Sequence, residues 1–246
     1  MKVRNRLLNF GDNIIYQDDE WFAFSLDSVL LSNFVSVKLT DKKILDMACG
    51  NAPISMLLTF RTNASIYGID IQKEVIDLGI QSIHENKMDK QIFLDVLDIN
   101  NVEDKFSAEF FDVITCNPPY FKYSNNDNIN LNMNKRISRH EVLVNLDTIV
   151  QKASYLLKNG GTFAMVHRPD RLIEIIDVME KYNIAPKKLQ LCYSKVNSNC
   201  NLILIEGNKN GKSGLKILSP VIVHNADGSY SEEIRKMFGD DNDVAK

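Results

Sequence analysis

Short apolar runs alternate with amphipathic segments through the middle of this chain, and this alternation constrains its fold more than any other feature. Short apolar runs suit buried strands, and apolar positions repeated every three or four residues suit helices. Strands and helices that alternate in this way build a parallel α/β sheet. The predicted strands are Lys43–Met47, Ser65–Ile69, Gln91–Leu94, Phe111–Cys116 and Gly161–Val166, and the predicted helices are Pro53–Phe60, Lys73–His84, Leu143–Leu157 and Asp170–Tyr182.

Two later apolar runs, Leu189–Cys192 and Asn201–Glu206, are separated by a polar stretch and predict an antiparallel pair of strands. The expected architecture is therefore an α/β fold with a mostly parallel, seven-stranded sheet that ends in an antiparallel hairpin. We expect a single domain over residues 1–246, with an N-terminal cap at 1–40, a core sheet at 41–207 and a C-terminal extension at 208–246.

Two further segments carry local predictions. A helix that is capped by Asp27 or Ser25 and runs to about Lys38 is expected to close over the first loop of the sheet. The Asn-rich segment Ser124–Asn134 has no apolar periodicity and predicts a mobile loop.

The composition excludes several classes of function. Hydrophobic residues make up 44% of the 246 positions, and no apolar stretch approaches the roughly 20 residues that span a membrane. The basic start of the chain leads into no apolar segment, so we expect a cytoplasmic protein. No metal site is expected, and we expect a monomer. The cysteines lack metal-ligand spacing and predict reduced thiols at Cys49, Cys116, Cys192 and Cys200.

The first predicted strand leads into a tight turn of small residues and then a helix. Gly50 in this turn lets the backbone approach a ligand at the carboxyl end of the strand, where open α/β sheets bind their ligands. The turn lacks the glycine spacing that seats a pyrophosphate on a helix N-terminus. Asp46 would repel a pyrophosphate but could bind an ammonium group, directly or through water. The pattern therefore favours S-adenosylmethionine over a nicotinamide dinucleotide.

Acidic residues also end the next two strands. Asp70 is placed to accept hydrogen bonds from both hydroxyls of a ribose, a device that several nucleotide cofactors share. Asp98 is placed to accept from an adenine amino group, and Asp95 is an alternative for that role. With Ala48 in the first turn and Ile71 beside Asp70, these residues form the predicted cofactor site.

The segment Asn117-Pro118-Pro119-Tyr120 follows the fourth predicted strand and carries the most specific chemistry. The two prolines fix φ and force an extended corner. The side-chain oxygen of Asn117 and the carbonyl of Pro118 can then both accept hydrogen bonds from one planar NH₂ group, while Tyr120 can stack on a base. The predicted catalytic residues are therefore Asn117, Pro118 and Tyr120, and Asn117 also borders the cofactor site.

Charge is unevenly distributed along the chain. Between Lys181 and Lys216 there are seven lysines and a single acid, Glu206, so this segment carries +6 and the rest of the chain −9. A basic face on an acidic protein is typical of a surface that meets phosphates, although an ordinary solvated surface would show the same pattern. We expect Lys209 and Lys212 of this segment to bind the substrate on the side where Asn117 opens.

The chain resembles the class I methyltransferases with a Rossmann-like fold, specifically the bacterial family that methylates adenine N6 beside the anticodon of valine tRNA. The resemblance covers nearly the full length. A second glycine common in the first loop of that family is Ala52 here. The segments that carry the resemblance are Gln17, Phe24–Asp27, Asn117–Tyr120, Arg139–Glu141, Val166–Leu172 and Glu206–Lys209.

The resemblance implies S-adenosylmethionine as methyl donor and the anticodon stem-loop of a tRNA as acceptor, with adenine 37 of valine tRNA as the target. Basic residues around the mobile loop are then expected to grip phosphates. His140 is expected to serve a structural or RNA-contacting role rather than act as a base, and Arg168 either orients the loop or meets RNA. The expected phosphate-binding residues are Lys122, Lys135, Arg136 and Arg139.

Three alternatives stay open from the sequence. Release-factor glutamine methyltransferases use the same four-residue motif, but they usually carry a long helical domain before the sheet, and only about forty residues precede it here. Adenine-N6 DNA methyltransferases usually add a target-recognition domain, for which this chain has no room. A noncatalytic RNA-binding protein on the same fold is disfavoured by the intact set of Asp46, Gly50, Asp70 and Asn117.

Overall fold

The computed structural model describes residues 2–18, 25–118 and 145–240. In this part of the chain the main sheet has nine strands, of which seven are five residues or longer. The strands of this sheet are β3 (Lys43–Met47), β4 (Ser65–Asp70), β5 (Ile92–Val96), β6 (Phe111–Cys116), β7 (Leu157–His167), β8 (Ile184–Tyr193), β9 (Cys200–Lys209), β10 (Lys216–Ile217) and β11 (Val221–Ile222).

The order of the strands is β10-β8-β9-β7-β6-β3-β4-β5, and β11 also pairs with β8. Strands β3 to β7 are mutually parallel, and β9 runs antiparallel to both of its neighbours, β7 and β8. The predicted architecture is confirmed, including the antiparallel terminal pair. The short strands β10 and β11 extend the edge parallel to β8 and were outside the prediction.

Helices cover both faces of the sheet. One face carries α1 (Leu26–Phe34), α2 (Pro53–Leu58), α3 (Lys73–Glu85) and α6 (Glu232–Met237), whose buried side chains share one apolar core with Ile44, Ile66 and Val113. The other face carries α4 (Leu146–Leu156), α5 (Leu172–Lys181) and the 3₁₀ turn Ile99–Asp104, which pack on Leu45, Ile114 and Phe163. Alternate residues of each strand therefore enter opposite cores, as expected for a doubly wound sheet.

The predicted helices are present, but their ends differ from the prediction. Helix α4 begins after Asn145, whose side chain accepts a hydrogen bond of 2.8 Å from the Thr148 amide. The predicted helix Asp170–Tyr182 is divided into a 3₁₀ turn at Pro169–Arg171 and α5. Strand β7 begins earlier than predicted, because Leu157 already pairs with Phe111.

The N-terminal region differs most from its prediction. A separate antiparallel hairpin, β1 (Lys2–Arg6) and β2 (Ile14–Asp18), precedes α1. Helix α1 ends at Phe34 and not near Lys38, and the side chain of its N-cap residue, Ser25, makes no capping hydrogen bond. The predictions of a longer helix and of a Ser25 side-chain cap are therefore wrong.

The hairpin is held by polar contacts to α3 and to the residue that follows it, Asn86. The Asn86 side chain both accepts from the Ile14 amide at 2.8 Å and donates to the Ile14 carbonyl at 2.6 Å. The Ser82 hydroxyl accepts from the Tyr16 amide at 2.9 Å. These contacts satisfy three backbone groups on the outer edge of β2, which would otherwise lack partners from the sheet.

Charged side chains hold the C-terminal end of α1. Arg61 donates to the carbonyls of Ser32 and Val35, and Lys188 donates to the carbonyl of Phe34 at 3.1 Å. Cations suit the end of a helix, where carbonyls lack partners inside the helix. Glu206, which is buried, pairs with Lys188 at 3.2 Å and accepts a hydrogen bond of 2.6 Å from the Ser36 amide, which joins this end of α1 to β8 and β9.

No helix within the described ranges is long and apolar enough to cross a bilayer. The segment 124–134, for which a mobile loop is predicted, lies outside the described residues.

Candidate active site

The loop after β3 turns sharply at the carboxyl end of the sheet. Three of its five residues have left-handed backbone: Ala48 with φ 55°, Gly50 with φ 56° and Ala52 with φ 66°. This conformation favours glycine, so the two alanines place strain in the loop. A Cβ on Gly50 would meet only Val75, at 3.9 Å, which leaves room for a ligand above this residue.

Neighbouring elements fix the shape of the loop from several sides. The Cys49 amide donates to the Ile69 carbonyl at 3.0 Å, and the buried Asn51 side chain donates to the Tyr16 carbonyl of β2 at 2.8 Å. Helix α3 approaches so closely that a Cβ on Gly79 would lie 3.2 Å from the Asn51 carbonyl carbon. The N-terminal hairpin and α3 therefore both contact the first loop.

Asp70 joins the end of β4 to this loop. Only 7% of its surface is exposed, and its carboxylate accepts from the Gly50 amide at 3.0 Å and from the Gln72 amide at 2.9 Å. Hydrogen bonds from backbone N–H groups favour the ionised carboxylate. A hydrogen-bonded carboxylate is thus held beside the glycine that lets a ligand approach.

Asp46 is fully buried one strand away. Its carboxyl group accepts from the Ser55 hydroxyl of α2 at 2.9 Å and from the Thr115 hydroxyl of β6 at 3.0 Å. Burial raises the pKa of Asp46 to about 7, and the nearby charge of Asp70 acts in the same direction, whereas the two hydroxyl groups lower it. Asp46 therefore joins β3, α2 and β6 directly beneath the loop.

Asn117 follows β6 at the same edge of the sheet. Its partly exposed side chain donates from Nδ2 to the Ser28 hydroxyl of α1 at 3.3 Å, and Pro118 after it is buried. Because β3 pairs with β6 through Asp46–Thr115 and Met47–Cys116, Asn117 emerges beside the first loop. Pro119 and Tyr120 lie outside the described residues.

The comparisons with known proteins agree with this geometry. A family model described as a methyltransferase domain matches residues 38–218. The chain belongs to this methyltransferase family.

The curated relatives of this methyltransferase have names that state a substrate, whereas the family model states only a methyltransferase domain. The tRNA1(Val) (adenine(37)-N6)-methyltransferase of Phocaeicola vulgatus is 25% identical over 203 residues, covering 82% of this chain and 83% of the relative. The protein of the same name from Christiangramia forsetii is 21% identical over 242 residues, covering 97% of this chain and 98% of the relative. The expected family resemblance and the expectation of an enzyme are confirmed.

Solved structures similar to this methyltransferase support the fold. A predicted O-methyltransferase, protein Atu636 from Agrobacterium tumefaciens, has a TM-score of 0.70 at 17% identity and covers 87% of this chain and 96% of its own. Geranyl diphosphate C-methyltransferase from Streptomyces coelicolor, in complex with S-adenosyl-L-homocysteine, has a TM-score of 0.56 at 13% identity, with 74% and 76% covered. The cofactor expected from the sequence agrees with these findings.

The predicted cofactor residues of the methyltransferase converge at one edge. Asp46, Ala48, Gly50, Asp70 and Asn117 all lie at or just after the carboxyl ends of adjacent strands β3, β4 and β6. Ile71 directly follows Asp70, and its side chain is 38% exposed, so it is accessible to a ligand at this edge.

Asp95 lies within β5 and Asp98 follows it, and the two acids differ in their partners. Asp95 forms an ion pair with Lys105. Asp98 caps the following 3₁₀ turn by accepting from the Asn100 amide at 2.8 Å. Both partners lie outside the predicted cofactor set, so the assignment of Asp98 or Asp95 to an adenine amino group stays a prediction.

The basic residues of the C-terminal segment are placed differently from their prediction. Strand β9 runs antiparallel to β7, so Lys209 emerges where β6 and β7 begin and not where they end. Its ammonium group contacts the Leu157 carbonyl at 2.9 Å and Glu109 at 3.2 Å. Lys212 lies just beyond on the same edge. The expectation that this pair opens on the side of Asn117 is therefore wrong.

Other predicted substrate residues, Lys122, Arg136 and Arg139, lie outside the described residues, as do Lys135 and His140. Three polar residues at the site were missed from the sequence: Ser28, Ser55 and Thr115. Each is a small hydroxyl residue beside or within an apolar run, and that pattern was the available signal. All three are buried and bond to predicted site residues.

The raised pKa of Asp46 predicts a pH-dependent stability. The folded protein keeps the proton up to about pH 7, whereas the unfolded chain loses it near its ordinary value of 3.8, so this group's contribution falls as pH rises between those values. Asp46→Asn should remove that fall. Its free energy of unfolding relative to the wild type should therefore rise by roughly 1–3 kcal/mol from pH 4.5 to 7.5 in urea titrations.

Asp112→Asn is the matched control for this pH dependence. Burial alone would raise the pKa of Asp112. The Lys158 ammonium and the amides of Lys42 and Lys43 lower it by more than burial raises it, so the net shift of the pKa is downward. This carboxylate contributes stability above its unfolded pKa of 3.8 and loses that contribution only as pH falls below this value, so the free energy of unfolding of Asp112→Asn relative to the wild type should stay nearly constant from pH 4.5 to 7.5. Parallel trends in the two variants would contradict the assignment of a raised pKa to Asp46.

Gly68 beneath the loop yields a second prediction. A Cβ there would lie 2.5 Å from Leu94 and 2.9 Å from the Cys49 sulfur. Gly68→Ala should therefore cost about 1–3 kcal/mol of stability by overpacking and also displace the first loop. Gly207→Ala is the control, since a Cβ there would lie 2.5 Å from Met179 at the other end of the sheet. Denaturation should show loss of stability in both, and cofactor titration should show weaker binding in Gly68→Ala alone.

Proposed function

We propose that this protein transfers a methyl group from S-adenosylmethionine to N6 of adenine in tRNA, at position 37 beside the anticodon of valine tRNA. The observation that carries the proposal is the placement of Asn117 and Pro118 at the end of β6, next to the loop shaped by Gly50 and Asp70. The names of the curated relatives support tRNA as the acceptor.

The residues of the first loop suit this cofactor. Asp70, held next to Gly50, would accept hydrogen bonds from the ribose hydroxyls, and the partly exposed Ile71 would pack on the adenine ring. Asp46 has no exposed surface, so its predicted bond to the ammonium group would act through water or through the loop that it supports. When bound, the cofactor supplies an electrophilic methyl group.

Asn117 and Pro118 would orient the acceptor. The exocyclic nitrogen of adenine is a weak nucleophile, because its lone pair is delocalised into the ring. Two carbonyl acceptors that take its hydrogens favour a pyramidal nitrogen and aim the lone pair at the methyl group. The alkylated nitrogen becomes acidic and releases its proton without a strong base, so positioning and electrostatic complementarity supply most of the acceleration.

The target base must leave its stack to reach this site. Extrusion costs a few kcal/mol in a duplex, and less in a loop whose stack is already open on one side. Tyr120 is proposed to provide the replacement stacking surface. An anticodon loop therefore suits this site better than double-stranded DNA does.

The acceptor class is tested by presenting three substrates in parallel. The full chain is incubated with labelled S-adenosylmethionine and an unmodified valine tRNA transcript, duplex DNA or a release-factor peptide, and products are identified by mass spectrometry. We expect N6-methyladenosine at position 37 of the tRNA. Preferred labelling of DNA or peptide would reject the tRNA proposal while keeping amine methylation, and no labelling in any arm with retained cofactor binding would favour a noncatalytic protein.

Two substitutions should separate catalysis from cofactor binding. Asn117→Ala should lower methyl transfer by about 100-fold or more, because the amine loses an orienting acceptor, with little change in cofactor affinity. Asp70→Ala should instead weaken cofactor binding by a few kcal/mol, at roughly 1.5–3 kcal/mol per lost charged hydrogen bond. Calorimetric titration and single-turnover rates distinguish the two. Full activity of Asn117→Ala would overturn the mechanism.

The tRNA backbone is proposed to meet the edge at which β6, β7 and β8 end. Cys116 pairs with Met165, so the exposed Arg168 extends two residues beyond the level of Asn117 on the neighbouring strand. The turn between β8 and β9 lies along the same edge and carries the exposed Lys195. Lys195 forms no ion pair within the described residues, and Arg168 has only a 4.0 Å contact with Asp170.

Charge reversal tests this surface with matched lysines. Lys195→Glu should weaken tRNA binding and reduce the slope of log K against log salt by roughly 0.7–0.9 per lost phosphate contact, and adding Arg168→Glu should reduce it further. Lys212→Glu changes the net charge equally at the opposite edge and should have a much smaller effect. Filter binding across a salt series measures both, and a larger effect of Lys212→Glu would reverse the assignment.

A further inference from the structure

The side chain of Asn117 has a defined partner in α1. Its Nδ2 atom donates to the Ser28 hydroxyl oxygen at 3.3 Å, and Ser28 is only 4% exposed. A primary amide carries its nitrogen and oxygen on opposite sides of one carbon. A hydrogen bond that holds Nδ2 therefore also fixes the direction in which the amide oxygen points.

Ser28 is itself held in a fixed position. It lies in the first turn of α1, where its amide donates to the Ser25 carbonyl at 3.2 Å. The other end of α1 is joined to the rest of the fold by Arg61, Lys188 and Glu206, as described above. The next residues, Val29, Leu30 and Leu31, are buried in the core. The hydroxyl thus belongs to a helix restrained along its whole length.

We infer that Ser28 is a positioning residue for methyl transfer, which acts by orienting the amide of Asn117. This inference rests on the proposed function, since it assumes that the Asn117 oxygen accepts a hydrogen of the target amine. Ser28 would then influence the chemical step without touching either substrate. Loss of the Ser28 hydroxyl would allow the Asn117 amide to rotate. The target amine would then face Nδ2, a donor, instead of the amide oxygen that accepts its hydrogen.

The chain offers a matched control for this role. Ser32 lies one turn later on α1, is 1% exposed and uses its hydroxyl within the helix, where it donates to the Val29 carbonyl at 2.9 Å. Substitution of either serine by alanine removes one buried hydroxyl from the same helix. Of these two serines, only Ser28 forms a hydrogen bond with Asn117.

The experiment compares Ser28→Ala, Ser28→Thr and Ser32→Ala in the full chain, with tRNA and S-adenosylmethionine varied separately. Ser28→Ala should lower kcat roughly tenfold, the effect that one hydrogen bond supports, with KM and Kd for the cofactor within about twofold. Ser28→Thr keeps the hydroxyl and should recover most of the rate. Ser32→Ala should retain the wild-type kcat.

Two results would decide against the inference. An unchanged kcat in Ser28→Ala, or an equal fall in Ser32→Ala, would leave Ser28 with a structural role only. If Ser28→Ala fails to fold, Ser28→Cys keeps the volume with a much weaker acceptor and should show the same fall in kcat. An active Asn117→Ala enzyme would reject the proposed function itself, whereas an inactive Asn117→Ala with a normal Ser28→Ala rejects this inference alone.

Discussion

The buried carboxyl group of Asp46 is the contact on which the arrangement of the active site depends. It accepts hydrogen bonds from α2 through Ser55 and from β6 through Thr115, and it lies on β3 just before the first loop. A carboxyl group without these donors would be costly to bury. The loop that carries Gly50 and the strand that carries Asn117 are therefore held in a fixed relation by one side chain.

A second carboxylate completes this arrangement from the neighbouring strand. Asp70 binds the Gly50 amide directly, so the loop is held from below by Asp46 and from the side by Asp70. The two acids differ in their partners, since side-chain hydroxyls of α2 and β6 donate to Asp46 whereas two backbone amides donate to Asp70. Asp46 therefore supports the loop from within the core, and Asp70 lies directly beside Gly50.

The parallel sheet could be predicted because its strands are short apolar runs at regular intervals, and β3 and β6 match their predicted bounds. The hairpin β1–β2 could not, because its stability comes from distant partners, Ser82 and Asn86. Ser28 escaped notice for a related reason, since its role depends on a residue 89 positions away. The lysines of the basic segment show a different limit: composition locates charge along the chain, but only strand direction decides the edge at which it emerges.

The N-terminal hairpin has a consequence for the dynamics of the site. Asn51 of the first loop donates to the Tyr16 carbonyl, and the same strand is held by Ser82 of α3 and by Asn86, the residue that follows α3. Release of β2 from the fold would therefore remove a support of the loop, and a ligand that orders the loop would in turn stabilise β2. Slow amide hydrogen exchange in residues 14–18 would accordingly report on occupancy of the cofactor site, although the hairpin itself belongs to a separate sheet.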